Sequence, residues 1–133
     1  MENSIFGQFE KTLKTAFVNV RSGNELLFID VDLSKALFWN FQENMRDLVQ
    51  ECEHFGLVTS QMFPLAARQH DLALLVSNAK DKARIDVTQL TSEELEPHVI
   101  NALGALEYIE LQFTDLMKVV GDEYGFGKFP AKA

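Results

Sequence analysis

The segment from residue 70 to residue 120 constrains the fold of this chain more than any other. Residues 72–77 (LALLVS) are apolar and rich in strand formers, and residues 78–82 (NAKDK) carry turn chemistry. Residues 83–89 (ARIDVTQ) then alternate strictly. Ala83, Ile85 and Val87 fall on one side and Arg84, Asp86 and Thr88 on the other, the period of an extended strand with one wet face. A helical stripe follows at once, with Val99, Ala102, Leu106, Ile109, Phe113, Leu116 and Val120 recurring at spacings of three and four. A β-hairpin feeding a long helix points to a small α+β domain. The alternative is an all-α bundle.

The rest of the chain fits the same scheme. Ile5, Phe6, Phe9, Leu13 and Ala16 form an amphipathic stripe over residues 3–15, with Asn3 and Ser4 as candidate caps. Residues 17–21 (FVNVR) and 25–32 (ELLFIDVD) flank Ser22-Gly23-Asn24, which reads as a second hairpin with a glycine in its turn. Residues 33–41 are ambiguous. As a helix, Leu37, Phe41, Met45, Leu48, Cys52 and Phe55 make one stripe, but Trp39 is then left in solvent. A strand to Phe41 and a helix from Gln42 to Phe55 is preferred, with Gly56 as its C-terminal stop. Residues 57–67, which include Pro64, read either as a strand plus loop or as a short helix. Thr91 and Glu94 form a capping-box pair, and Pro97 separates that first turn from a main helix ending at Gly121. The expected order is α-β-β-(β)-α-β-β-α, a small antiparallel sheet with flanking helices. Residues 1–120 are read as one domain and 121–133 as a loosely ordered tail.

Composition narrows the function. At 133 residues and 47% hydrophobic content the chain can bury its own core. No apolar run approaches the roughly 18 residues of a membrane helix. Glu2 and Glu10 stand where a signal peptide would be basic and then apolar, so no such leader and no membrane insertion are expected. Cys52 is the only cysteine, which excludes an internal disulfide and suits a reducing cytoplasm. A net charge of −8 opposes contact with nucleic acid or an anionic membrane. It serves solubility and favours a basic partner in equal measure.

The chemistry-bearing residues do not assemble into a catalytic signature. Glu51 and His54 have the Glu-x-x-His spacing of carboxylate-bridged metal helices, but such sites need a second pair and two further glutamates. Glu107 and Glu110 are one carboxylate pair where several would have to converge. Both pairs are better explained as the solvated faces of amphipathic helices. Cys52 lies on the apolar stripe and reads as a small core residue. His70 and His98 have no nucleophile motif near them, and no glycine-rich phosphate loop precedes a helix. No enzymatic activity, metal or cofactor is expected. The surplus of phenylalanine, 11 in all, suggests either an apolar interface or misassigned faces.

Two segments carry a family resemblance. Residues 17–32 (FVNVRSGNELLFIDVD) look like a first hairpin whose apolar second strand ends in acid. Residues 85–111 (IDVTQLTSEELEPHVINALGALEYIEL) look like a last strand and closing leucine-rich helix. In this order the chain resembles the class I chaperones of type III secretion, small acidic cytoplasmic homodimers. The resemblance implies a non-enzymatic chaperone that binds the N-terminal segment of a secreted effector and keeps it secretion-competent, through strand addition and apolar anchoring. On that reading Phe6, Phe9, Leu26, Phe28 and Phe38 are candidates for effector binding. Trp39, Met45, Leu48 and Val49 are candidates for a homodimer seam. The alternative is an acidic immunity or antitoxin-like protein that blocks a toxin.

Overall fold

A computed structural model describes residues 5–59 and 65–124. Among them the chain forms four α-helices and no strand: α1 (Ile5–Leu26), α2 (Val31–Thr59), α3 (Leu65–Lys82) and α4 (Ser92–Tyr124). The expected α+β fold is therefore corrected to the all-α alternative. Helix α1 packs on α2 and α4, and α3 packs on the same two, closing a four-membered ring. Cross-contacts fix the directions. Thr12 meets Glu51 and Asn19 meets Asn44, so α1 and α2 are antiparallel. Gln69 reaches Cys52 while Gln42 reaches Ala83, which sets α3 antiparallel to α2. The Phe9 and Phe113 rings lie 4.7 Å apart, and Ser92 bonds to Leu27, so α4 runs against α1. This is the up-down-up-down arrangement that short connections between amphipathic helices produce.

The 17–32 hairpin is overturned by packing at its supposed turn. Gly23 is buried inside α1, and the Ser34 hydroxyl donates to its carbonyl at 2.7 Å. Gly23 stands where two helices pack together, not where the chain reverses; a Cβ there would lie 3.6 Å from Ser34 and Leu37. The reversal comes at residues 27–30, where the amides of Ile29 and Asp30 both bond back to Leu26. Asp30 then caps α2, its Oδ1 accepting from the Leu33 amide at 3.2 Å and its carbonyl from Ser34 at 3.0 Å. The acid that looked like a strand end is a helix N-cap.

Residues 33–41 are the first turns of α2, and the helix continues through Gly56 to Thr59. Both the expected strand and the expected stop at Gly56 are corrected. The helix leaves Trp39 57% exposed, the cost that had counted against it. Phe38, Phe41, Met45, Leu48 and Cys52 are buried in exchange, each large side chain contributing roughly 1.5–3 kcal/mol. Gly56 instead admits the Gln69 amide, which donates to the Cys52 carbonyl at 3.1 Å.

Residues 72–82, read as a strand and turn, are helical and belong to α3. The alternation after them is real but has no partner strand. Ala83 and Val87 are buried and Ile85 half-buried, while Arg84, Asp86 and Thr88 are exposed. The segment 83–91 is an irregular strap laid across the bundle, with turns closed by the Ile85 amide on the Ala83 carbonyl (2.9 Å) and the Leu90 amide on the Val87 carbonyl (3.1 Å). Side chains of α2 add to these turn bonds: Gln42 Nε2 donates to the carbonyls of Ala83 (2.7 Å) and Ile85 (2.9 Å), and Lys35 Nζ to that of Thr88 (3.0 Å). A non-helical connection can thus show a period of two without a sheet.

The capping box forms as expected. Glu94 Oε1 accepts from the Thr91 amide at 2.9 Å, and Thr91 Oγ1 accepts from the Glu94 amide at 3.1 Å. Helix α4 begins there and runs unbroken through Pro97 and Gly121 to Tyr124, so the separate first turn and the stop at Gly121 are both corrected. Residues 57–59 extend α2 and 65–67 open α3. The candidate caps Asn3 and Ser4, the segment 60–64 with Pro64, and the tail from 125 onward lie outside the described residues.

Candidate functional site

The corner between α1 and α2 concentrates exposed apolar surface. Ile29 is 80% exposed, Phe28 59% and Leu33 45%. Glu25, Asp30 and Asp32 are exposed around them. The corner owes this composition to its tightness. The four residues 27–30 must reverse the chain, and only Leu27 turns inward to full burial, leaving Phe28 and Ile29 outside. Asp32, in the first turn of α2, also favours the helix dipole. An apolar centre rimmed by carboxylates is the composition of a protein-docking surface, and its sign selects a basic counterpart.

Of the nine residues singled out, five for effector binding and four for a dimer seam, most lie in or against the core. Phe9, Met45 and Leu48 are fully buried, and Phe6 and Phe38 nearly so, all within the shared hydrophobic core. The Phe9 ring stacks on Phe113, and the Phe38 ring lies 5.4 Å from Phe41. Leu26 and Val49 are half-buried. Phe28 and Trp39 alone of the nine are solvent-facing, and Phe28 belongs to the corner. Sequence reasoning missed Ile29 and Leu33, because a strand would have turned Ile29 inward beside Leu27. The signal that finds them is the Asp30 cap, which places residues 28–29 in the connection.

The Glu51 carboxylate lies between α1 and α2. Its Oε2 accepts from the Thr12 hydroxyl at 2.8 Å, and its Oε1 is buried without a hydrogen-bond partner. Desolvation pushes its pKa above the ordinary carboxylate value, and Asp47 adds to this. Thr12, Gln8 and His54 act in the opposite sense. The carboxylate is a polar joint between two helices. His54 is exposed, and Glu107 and Glu110 are exposed on α4. Among the described residues no three His, Cys, Asp or Glu side chains gather as metal ligands. The Cys52 thiol is buried, and burial, with Glu51 and Glu53 nearby, pushes its pKa up to about 12. A thiol held protonated in the core is a poor nucleophile.

Among the described residues no helix is long and apolar enough to cross a membrane. Comparison with protein-family models, with curated proteins and with solved structures finds no match to this chain.

Proposed function

We propose that this chain is a non-enzymatic binding protein that docks the α1–α2 corner onto a folded, basic partner protein, in the manner of an immunity or antitoxin protein. The supporting observation is the corner itself: Phe28, Ile29 and Leu33 exposed together, with Glu25, Asp30 and Asp32 around them, on a chain of net charge −8. Exposed aromatic and aliphatic anchors supply affinity, and the carboxylate rim supplies orientation and association rate. The one cysteine, buried and protonated, suits a reducing cytoplasm. Strand addition, the mode implied by the secretion-chaperone resemblance, has no strand edge to use among the described residues.

The test is co-purification from the native host, identification of the partner by mass spectrometry, and titration with the two purified proteins. The double variant Phe28→Ala/Ile29→Ala is expected to keep the fold, because both side chains are exposed, and to weaken the complex by roughly a hundredfold or more. Association should slow steeply as salt is raised. A complex indifferent to both changes removes the proposal. A partner bound only as an unfolded N-terminal segment returns the chaperone reading in its place.

A further inference from the structure

A second concavity lies on a different part of the bundle. It is a groove of about 630 Å³ between α3 and α4, floored by α2. Its walls come from one face of each helix. On α3, Leu75, Ala79 and Lys82 recur at helical spacing, with Ala83 just beyond the helix; on α4, His98, Ala102, Ala105 and Tyr108 do the same. Phe38 and Phe41 form the floor. Small residues create the gap, since Ala79, Ala102 and Ala105 cannot fill the space that larger side chains would. Gly104, also in the lining, is the clearest case: a Cβ built there meets no atom within 4 Å.

The antiparallel arrangement of α3 and α4 gives the groove two unlike ends. Lys82, at the end of α3, and His98, near the start of α4, share one end, while Leu75 and Tyr108 share the other. The span is roughly 10–15 Å at the helical rise. The chain carries 20 acidic residues, yet no carboxylate lines this groove, and its one formal charge is the Lys82 ammonium. A trough of this volume, lined mainly by apolar side chains with Asn78 and Asn101 among them and a cation at one end, is the form of a small-ligand site.

We propose that the groove binds a medium-chain carboxylic acid, its carboxylate at the Lys82–His98 end and its hydrocarbon chain along Phe38, Phe41 and the alanines towards Leu75. The ammonium supplies a charge-assisted hydrogen bond to the carboxylate, and the missing side chains of α3 and α4 supply the room for the chain. This site is separate from the α1–α2 corner and does not rest on the function proposed for it.

Isothermal titration with decanoate and with decanol, both below their micellar range, tests the assignment. Decanoate is expected to bind one to one and roughly tenfold or more tighter than decanol. Lys82→Ala should remove that preference and leave decanol binding unchanged. Gly104→Leu should abolish binding of both ligands while leaving the helical circular dichroism intact and the Tm no lower, because a Cβ there meets no atom within 4 Å and leucine is the better helix former. Absence of saturable decanoate binding, or equal affinity for the alcohol, overturns the proposal. So does an unchanged decanoate affinity in either variant. Light scattering of the unliganded protein closes the remaining route: a dimer that Gly104→Leu dissociates assigns the groove to a second copy of the chain and likewise overturns it.

Discussion

Gln42 on α2 and Ile85 on the strap are joined by a hydrogen bond of 2.9 Å, and the same amide nitrogen reaches the Ala83 carbonyl at 2.7 Å. One side chain thus serves two backbone groups of a segment that has no neighbouring strand. Replacing Gln42 by alanine leaves the Ile85 carbonyl short of its donor, while the Ala83 carbonyl keeps the Ile85 amide at 2.9 Å. A loss of about 1–3 kcal/mol is expected in urea denaturation, with faster amide exchange confined to residues 83–91. A loss of that size with no local change in exchange would show that the strap is held by Val87 and its apolar contacts alone.

Glu51 should make stability depend on pH in a defined direction. Its folded pKa lies above the ordinary 4.5, so the charged form is disfavoured in the fold and costs stability at neutral pH. Falling pH protonates the folded state first, and the cost is removed as pH drops through the raised pKa towards 4.5. Glu51→Gln keeps an acceptor for Thr12 and removes the charge. It is expected to exceed the parent in stability at pH 7 by no more than about 1 kcal/mol, given partial solvent screening. The difference should vanish near pH 4. Equal urea midpoints for the two proteins at pH 7 would contradict this.

The glycines separate three local environments that one substitution can distinguish. Gly104→Ala meets nothing and should gain roughly 0.5–1 kcal/mol from helix propensity. Gly23→Ala brings its new methyl to 3.6 Å from Ser34 and Leu37, an ordinary contact, and should gain a similar amount. At Gly56 the methyl falls 2.8 Å from the Gln69 amide nitrogen, so that side chain must leave the Cys52 carbonyl. The lost hydrogen bond then offsets the propensity gain, and the net change should be near zero or destabilising. Thermal melts of the three variants rank them.

Cys52 should resist modification until the bundle opens. With its thiol buried and its pKa pushed up to about 12, alkylation at pH 8 is expected to be slower in the folded protein than in the urea-unfolded chain by orders of magnitude. Equal labelling rates for the folded and unfolded protein would refute this.

Much of the helical packing was written in spacing. The α4 stripe from Val99 to Val120 is buried throughout, and the Thr91–Glu94 box caps that helix as its pattern implies. The sheet was a misreading of local composition. Val18, Val20, Ile29 and Val31 favour strands, and Ser22-Gly23-Asn24 favours turns, but a buried approach between α1 and α2 at Gly23 and Ser34 outweighs both preferences. Residues 83–87 alternate because one side of an irregular connection is buried, a pattern that leaves both the backbone conformation and the identity of its neighbour open. The corner was hidden for the same reason: Phe28 was singled out for its apolar excess, but Ile29 joins it only once Asp30 is known to cap a helix.

The strap carries a kinetic consequence. Its anchors join parts of the chain far apart in sequence, with Gln42 and Lys35 bonded to residues 83–88 and Ser92 Oγ to the Leu27 carbonyl at 2.7 Å. The α1–α2 contacts, by contrast, close through a loop of four residues. Low loop-closure entropy lets that helical pair assemble early, while the strap can be fastened only after α3 has docked. Substitutions at Gln42 and Ser92 should therefore quicken unfolding and leave the refolding limb of the chevron almost unmoved, which makes the strap a latch on the lifetime of the folded state.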